Sequence, residues 1–372
     1  SKKSTTQPSK QSGSGGSAPS PAPGVTSTPP AVPTRNPLKQ PFSSTSIWNM
    51  PIGSGAVYVP AGLSGQPAGD EWADMPQVDP ERIVLRPTAP LTPIYFNSVG
   101  WSGGNRCVSM GAPLMSVPMP NDFVVANTRN NEGAAFLMPD RRTIVQTQPF
   151  ARCSIGGLAT SWVRFPDVDL YSDGITGAHG GSRMSSIGGS LRVGEMRPGG
   201  QGPRHTLKVN VDSPRDLFRC QKEADCFRWP SQTSDAGSVG NYGTVSNNQN
   251  YAMRMGSLLA IPASRTLTSL GLESEPGRQL AWTLQNYGAY IVDSTGGPGF
   301  ALSAEDGPDG SFVKQFQLDY GISFEQRVRD NNPWARDMRR LVEALHVVNN
   351  NSPSSIGGGG TPRQPLAPSI KP

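Results

Sequence analysis

The sequence has 372 residues, of which 43 are glycine and 37 proline, while 16% are charged. So many turn-forming residues favour a β protein with many loops over a helical one. Five of the 33 lysine and arginine residues lie in the first forty positions, and the other 28 balance the 28 acidic residues. Because a nucleic-acid-binding domain usually carries a basic stripe on its folded surface, the sequence predicts no nucleic-acid partner.

The two ends of the chain have the composition of tails. Residues 1–40 are mainly serine, proline, threonine, glycine and lysine, and they contain too few apolar side chains to offset the entropy of ordering the chain. We expect a disordered, basic Ser/Pro-rich tail over 1–40, a single β-rich globular domain over 41–348 and a Gly/Pro-rich C-terminal tail over 349–372. The start at Ser1 fits a mature secreted protein whose signal peptide has been removed, and an engineered start would look the same.

Short apolar runs broken by glycine, proline and asparagine fill residues 41 to about 270, as is typical of a β-sandwich. Residues 134–138 and 143–148 flank a four-residue turn and predict a hairpin. Residues 190–196 and 205–212 flank a Gly/Pro-rich loop and predict a second hairpin. Three more strands are expected at 257–261, 289–293 and 300–303.

Two amphipathic helices are predicted in the last third of the chain. The first starts at Pro276, a favoured first-turn residue, and ends at Gly288, which can adopt the left-handed conformation of a helix cap. The second runs from about Pro333 to Val348 and carries an apolar stripe that His346 adjoins. The sequence therefore predicts a mainly β body of sandwich or jelly-roll type with two packed α-helices and disordered termini.

The four cysteines form no Cys-x-x-Cys pair, and no histidine follows at zinc-finger spacing. Cys220 and Cys226 can close a short loop, which leaves Cys107 to pair with Cys153. Two disulfides fit an oxidising compartment and predict an extracellular or cell-surface location; the alternative is four buried free thiols. No apolar run is long enough to cross a bilayer as a helix, so no transmembrane segment is expected.

Glu195 and His205 are the first candidate catalytic residues. Strand alternation places His205 on the face of the apolar residues of its strand, and Glu195 shares a face with Leu191 and Val193. In the predicted hairpin the two side chains are therefore neighbours, each more buried than Arg192 or Lys208. A carboxylate beside an imidazole can make it a proton shuttle, or the two can satisfy each other as a purely structural pair.

His179 is the third candidate catalytic residue. It lies in a run of small residues, Asp173 to Ser182, that predicts a solvent-facing loop of the kind that often carries function. The alternative is a glycine-rich crossover in which His179 is incidental, and His346 is interpreted as a packing residue of the last helix. No phosphate-binding glycine loop and no Gly-x-Ser-x-Gly elbow is present, so no cofactor and no serine-hydrolase site are predicted.

An acidic run, Glu305, Asp306 and Asp309, has oxygen ligands that calcium accepts but lacks the twelve-residue loop pattern of a calcium-binding hand. We therefore expect an acidic turn there, and no metal site.

The stretch Gly177–Asp293, about a third of the chain, resembles a family of uncharacterised secreted bacterial proteins rich in β structure. The segments that carry the resemblance are 180–189 (GGSRMSSIGG), 204–209 (RHTLKV), 227–230 (FRWP), 255–259 (MGSLL) and 284–293 (LQNYGAYIVD). The resemblance implies an extracellular β-rich protein and supplies no catalytic residue to carry over.

Two functions remain open, and the sequence does not decide whether the protein is an enzyme. One is an extracellular carbohydrate-active or carbohydrate-binding protein, in which His205 and Glu195 would act near the His179 loop on a polysaccharide or cell-surface glycan held by aromatic side chains. The other is a structural subunit of an extracellular filament, sheath or surface layer whose tails contact identical subunits. A concave groove lined by acids, histidine and tryptophan favours the first, and tails ordered against other subunits favour the second.

Overall fold

The chain divides after Pro33 into two units, and Thr34–Pro372 is the unit that contains the sheets and helices. The computed structural model describes Gly24 and residues 34–63, 76–327 and 329–371. The predicted N-terminal tail lies outside the described residues over most of its length.

Strands dominate the fold; among the described residues they form one sheet of twelve strands and one of four, and one strand, Thr176–His179, lies outside both sheets. In chain order the strands are β1 Tyr58–Pro60, β2 Pro76–Val84, β3 Leu91–Phe96, β4 Pro113–Pro118, β5 Gly133–Leu137, β6 Thr143–Gln148, β7 Ala151–Arg152, β8 Ala159–Ser161, β9 Val163–Arg164, β10 Val168–Asp169, β11 Thr176–His179, β12 Leu207–Val211, β13 Leu258–Ala260, β14 Ala289–Ser294, β15 Phe300–Gly307, β16 Gly310–Ser311 and β17 His346–Val348. The prediction of a mainly β protein is confirmed.

The larger sheet is mixed. Its main order is β1-β17-β13-β14-β12-β15-β2-β5-β6-β10, with β9 added beside β6 and β16 beside β15; the smaller sheet has the order β4-β3-β8-β7. The pairs β12–β14, β15–β2 and β2–β5 are parallel, and the other pairs of the larger sheet are antiparallel. The sandwich or jelly-roll arrangement stays a prediction.

The first predicted hairpin is confirmed, because β5 and β6 pair antiparallel around the expected turn. The second is wrong. Only Leu191 of its first strand forms a bridge, with Ala304, and β12 pairs with β14 and β15 instead. The residues after Leu191 fold into a tight turn, in which Glu195 N–H donates to the Arg192 carbonyl at 3.1 Å and its carboxylate accepts from Arg192 N–H at 2.8 Å.

In the described part of the chain four α-helices accompany the strands: α1 Ser213–Asp216, α2 Glu275–Asn286, α3 Phe312–Tyr320 and α4 Pro333–Ala344. The expected helix at Pro276 is present, and its N-cap Ser274 accepts a hydrogen bond from Gly277 N–H at 3.1 Å. The last helix stops earlier than predicted. Leu345 is extended, so His346 lies on β17 and not on the helix.

The two faces of the central strands have different surroundings. On β12, Leu207, Val209 and Val211 belong to the apolar core formed with α2, α3 and α4. Alternation turns Lys208 and Asn210 to the opposite face, where both are buried. That opposite face carries the polar side chains that form the candidate site.

The C-terminal segment packs on the body, which corrects the prediction of a separate tail. Arg35 N–H donates to the Ser369 carbonyl at 3.1 Å, and Gly53 N–H donates to the Gly357 carbonyl at 2.9 Å. This close packing requires glycine at position 53, because a side chain on Gly53 would collide with the backbone of Gly359 in the C-terminal glycine run.

Both expected disulfides form, Cys107–Cys153 and Cys220–Cys226, so the predicted pairing is confirmed. Among the helices of the described residues, none has the length and apolar character needed to cross a bilayer.

A buried carboxylate joins α4 to the start of α2, and its replacement tests how the helices are held. Asp337 is inaccessible to solvent and accepts from the backbone N–H groups of Glu273 at 2.9 Å and Ser274 at 2.8 Å. We expect Asp337→Asn to lower the free energy of unfolding by about 1–3 kcal/mol in urea denaturation, because an amide cannot accept all these bonds. The control Asp167→Asn, in an exposed pair with Arg164, should change it by less than about 1 kcal/mol; equal losses would contradict this role of Asp337.

Candidate functional site

A cleft of about 880 Å³ opens on the polar face of the larger sheet. This volume is in the usual range for small-molecule and cofactor sites, about 300–1,000 Å³. Among its polar lining residues are the carboxylates of Asp79, Asp235 and Asp293 and the side-chain amides of Asn131, Asn210 and Gln148.

Strand alternation and one register shift bring three of these groups together. Asp79 lies on β2, Asn210 on β12 and Asp293 on β14, where an irregularity in the pairing of β12 with β14 places Asp293 opposite Asn210. Strand β15 runs between β12 and β2, and it pairs Ala301 with Asn210 and Ser303 with Asp79. Because these side chains are small, the Asn210 amide reaches across β15 and donates to Asp79 Oδ2 at 2.7 Å.

His179 lies under the cleft, not on the predicted solvent-facing loop. It ends strand β11 and is inaccessible to solvent. Its Nδ1 lies 3.2 Å from Asp293 Oδ2, and its Nε2 bonds to a Glu81 carboxylate oxygen. Burial alone would disfavour the charged imidazole. The charge of Glu81 and the bonds to both carboxylates outweigh burial, against the opposing charge of Lys208, and raise the pKa of His179 to about 9.

Lys208 completes a buried ion network that consists of Glu81, His179, Lys208 and Asp293. Its ammonium lies 3.0 Å from Glu81 Oε1 and donates to the Ser185 carbonyl at 2.7 Å. Burial lowers the pKa of Lys208, while the charge of Glu81 opposes that shift. With a protonated His179 the network contains two cations and two carboxylates, which is how a protein interior accommodates charge.

Asp79, Glu81 and His179 also present possible metal-ligand atoms within 4.8 Å of one another. A histidine ligand must be neutral and must offer a free ring nitrogen, whereas both ring nitrogens of His179 contact carboxylates. The Lys208 ammonium already lies against Glu81. We therefore interpret this cluster as an ion network whose cations are side chains.

Asp79 has the properties of a proton donor. Burial raises its pKa to about 6; the positive charge of His179 opposes the shift, and the negative charge of Glu81 adds to it. The amides of Asn131 and Asn210 both donate to Oδ2, at 3.0 and 2.7 Å. Oδ2 is therefore the acceptor oxygen, and in the neutral acid the proton belongs on Oδ1.

Asp235 is a second cleft carboxyl with a raised pKa, and it lies in a loop on the other side of the cleft. Burial raises its pKa to about 6, together with the charge of Asp293, and the Tyr242 hydroxyl donates to it. Gly181 lies between Asp235 and Asp293. A Cβ there would lie 2.7 Å from Asp293 Oδ1 and 2.9 Å from Asp235 Oδ1, so only glycine leaves this space open.

The predicted pair of His205 and Glu195 exists, but it lies elsewhere. His205 Nε2 is 2.8 Å from Glu195 Oε1, and its Nδ1 donates to the Thr206 carbonyl at 2.9 Å. Neither residue lines the cleft. His205 borders a space of only about 10 Å³, which leaves no room for a substrate.

The expected burial of this pair is wrong. His205 is 6% exposed and the Glu195 side chain 21%, whereas Arg192 and Lys208 are 3% and 0% exposed. The reason is the missing hairpin. Glu195 lies on a turn and stays partly exposed, whereas the ion pair with Glu81 stabilises the buried charge of Lys208.

The prediction of an acidic turn is right only for Asp309, because Glu305 and Asp306 lie on strand β15. All three acids have arginine partners. The ion pairs are Glu305–Arg192, Asp306–Arg82 and Asp309–Arg86.

Sequence reasoning found His179 but missed the acids around it. The available signal was polar residues two apart within strand-like segments: Asp79 and Glu81, then Lys208 and Asn210. Such spacing places both members on one face of a strand. Asp235 gave no comparable signal, because it lies in a loop of serine, threonine and glycine.

No family model, no curated protein and no solved structure matches this chain. The resemblance to secreted bacterial proteins over Gly177–Asp293 therefore stays a prediction, and the geometry of the cleft is the basis for a function.

Glu81 contacts both cations of the network, His179 and Lys208, so its negative charge should be essential for the stability of the fold. We expect Glu81→Gln to lower the free energy of unfolding by about 3–5 kcal/mol, because His179 and Lys208 would then be buried with one carboxylate fewer. Urea denaturation at pH 7 measures this. Glu325→Gln, an exposed acid at the cleft rim, is the matched control and should have little effect. A Glu81 variant as stable as the wild type would contradict the ion network.

The His205–Glu195 pair should act as a pH-dependent structural contact. Burial opposes protonation of His205, but the charge of Glu195 and its hydrogen bond prevail and raise the pKa of His205. The stabilisation is therefore complete below the unfolded pKa of about 6.5 and is lost as pH rises through the folded pKa. Glu195→Gln should cost about 1–3 kcal/mol at pH 6 and clearly less at pH 9.5 in thermal or urea unfolding. A cost independent of pH would exclude a charged pair.

Proposed function

We propose that the protein is an extracellular carbohydrate-active enzyme that cleaves a neutral or amino-sugar polysaccharide by acid–base catalysis in the cleft. The observation that carries the proposal is the pair of cleft carboxyls, Asp79 and Asp235, with pKa values raised to about 6, beside Asp293, which contacts a buried imidazolium. Glycoside hydrolysis needs one carboxylic acid and one carboxylate on either side of the scissile bond.

The arrangement assigns Asp79 as the general acid. Its Oδ1 proton passes to the glycosidic oxygen as the bond from that oxygen to the anomeric carbon breaks. The Asn131 amide lies 3.0 Å from Asp79 Oδ2 and 3.4 Å from Asp293 Oδ2, so these two oxygens are no farther apart than the two distances together. This limit falls below the separation of about 6.5–9.5 Å in inverting glycoside hydrolases and includes the separation of about 5–5.5 Å in retaining ones.

Asp293 then acts as the nucleophile, held in position by His179 through Oδ2. Its carboxylate bonds to the anomeric carbon as the leaving oxygen takes the proton of Asp79. Asp79 then takes a proton from the water that adds to this carbon and releases Asp293. Asp293 Oδ1 accepts from Ser294 N–H at 3.0 Å. Asp235, held by Tyr242, faces Asp293 across Gly181 and offers a hydrogen-bonding group to a sugar hydroxyl.

The charge of the cleft limits the substrate. Among the described residues that line it, the charged side chains are four acids and one arginine: Asp79, Asp235, Asp293, Glu325 and Arg129. A cleft of this sign repels polysaccharides of uronic acids or sulfated sugars and favours neutral or amino sugars. The amide side chains of Asn210 and Gln148 line the cleft, and amides form hydrogen bonds with sugar hydroxyls.

The two disulfides support the extracellular location that both alternatives share. Two further observations bear on the choice between enzyme and structural subunit. The C-terminal segment bonds to its own body at Arg35 and Gly53, which removes one of the tails that a filament subunit would extend over its neighbours. An acidic cleft with a tryptophan at its rim supports the carbohydrate-active alternative.

Replacing Asp79 separates activity from stability. Asp79→Asn keeps an acceptor for both amides but removes the proton donor, and we expect kcat to fall at least about 100-fold. Turnover is measured as new reducing ends from glucans, mannans, chitosan and a uronic-acid polymer. The wild-type rate should fall as pH rises above about 6, because Asp79 loses its proton.

The same variant should be more stable than the wild type at neutral pH. The folded pKa of Asp79, about 6, exceeds the unfolded value of 3.8, so the folded state loses stability as pH rises between them. Asp79→Asn removes this cost, worth about 1–3 kcal/mol at pH 7.5, and should change little at pH 4. Asp309→Asn, an exposed acid of the turn, is the control for both measurements. Full activity of Asp79→Asn, or no turnover of any polymer by the wild type, would overturn the enzymatic proposal.

A further inference from the structure

Two tryptophans at the rim of the cleft are exposed side by side. Trp101 lines the cleft, and Trp162 lies next to it with ring centroids 6.2 Å apart and planes inclined by 44°. Each side chain is 41% exposed, whereas Trp48 and Trp334 are each 1% exposed. Two exposed indoles in contact leave a contiguous apolar area in water, and such areas mark binding surfaces.

The chain holds these rings in place from below. Gly100 has φ +55° and lies under Trp162, where a Cβ would be 2.6 Å from the indole Cζ3. The Arg106 guanidinium, almost inaccessible to solvent, donates from Nε to the Gly100 carbonyl at 2.9 Å. The disulfide Cys107–Cys153 ties the same loop to β7 and the segment that follows it. The pair is therefore a rigid platform, which lowers the entropic cost of binding.

Trp101 is also connected to the catalytic groups. Its indole N–H donates to Asn131 Oδ1 at 3.0 Å, and the amide of the same Asn131 contacts Asp79 and Asp293. The platform therefore starts where the proposed bond cleavage takes place and continues outwards to Trp162.

We propose that Trp101 and Trp162 form a stacking subsite for successive sugar units of a polysaccharide that extends out of the cleft. This inference rests on the proposed function and adds a site that binds the chain rather than the scissile bond. The C–H groups of a pyranose face carry partial positive charge and pack on the electron-rich face of an indole. The polar neighbours Arg129, Asn130 and Asn131 supply hydrogen bonds to the sugar hydroxyls around such a face.

Chain length provides the test. For oligosaccharides of glucose and of glucosamine from disaccharide to octasaccharide, Trp162→Ala should raise KM for the long members about two- to tenfold and leave the disaccharide unchanged. Trp162→Phe should recover part of the loss. Trp282→Ala, a half-buried tryptophan of α2 that packs on Tyr287, is the control and should leave the chain-length dependence intact.

Binding to the inactive enzyme separates this proposal from the catalytic one. In Asp79→Asn, octasaccharide affinity measured by calorimetry should fall two- to tenfold when Trp162→Ala is added. If the wild type cleaves polysaccharide but Trp162→Ala affects long and short substrates alike, the subsite is wrong and the catalytic proposal stands. If no substrate is cleaved but affinity still depends on Trp162 and on chain length, the subsite stands and the catalytic proposal fails. Binding that is independent of Trp162 in every background rejects the subsite.

Discussion

Glu81 is a fully buried carboxylate that contacts both the imidazole of His179 and the ammonium of Lys208. Buried charges are tolerated only when each has a partner at close range, so the strands that carry them must meet in one register. A slip of β12 by one residue would turn Lys208 towards the helices and Val209 towards Glu81. The ion network therefore fixes how β2, β11, β12 and β14 assemble, while the apolar core on the other face supplies the stability.

The chemistry of the cleft follows from this arrangement. His179 holds Asp293 through one ring nitrogen, and the nearby Glu81 contributes to the raised pKa of Asp79. Asn131 then connects Asp79, Asp293 and Trp101, so a single amide links the proposed acid, the proposed nucleophile and the rim. Keeping Asp79 buried costs stability at neutral pH, and such a cost is typical of functional positions.

The polar side chains of the site can lie close together because the residues between them are small. Ala301 and Ser303 on β15 allow Asn210 to reach Asp79, and Gly181 allows Asp235 to approach Asp293. At the rim, Gly100 has the same function under Trp162. The glycine content of the chain thus serves close approach of side chains as well as turns.

The sequence by itself determined the mainly β class, the local hairpin of β5 and β6, the start of α2 and both disulfides, because each depends on residues near in sequence or on a small number of possible pairings. It did not determine the site. Glu195 and His205 are ten residues apart and do meet, whereas Asp79, Asp235 and Asp293 of the cleft and His179 beneath it come from separate parts of the chain. Strand periodicity tells which face a side chain occupies but not which strands become neighbours. The order of strands in the sheet is decided by long-range packing and by the pairing of buried charges, and only the tertiary structure contains both.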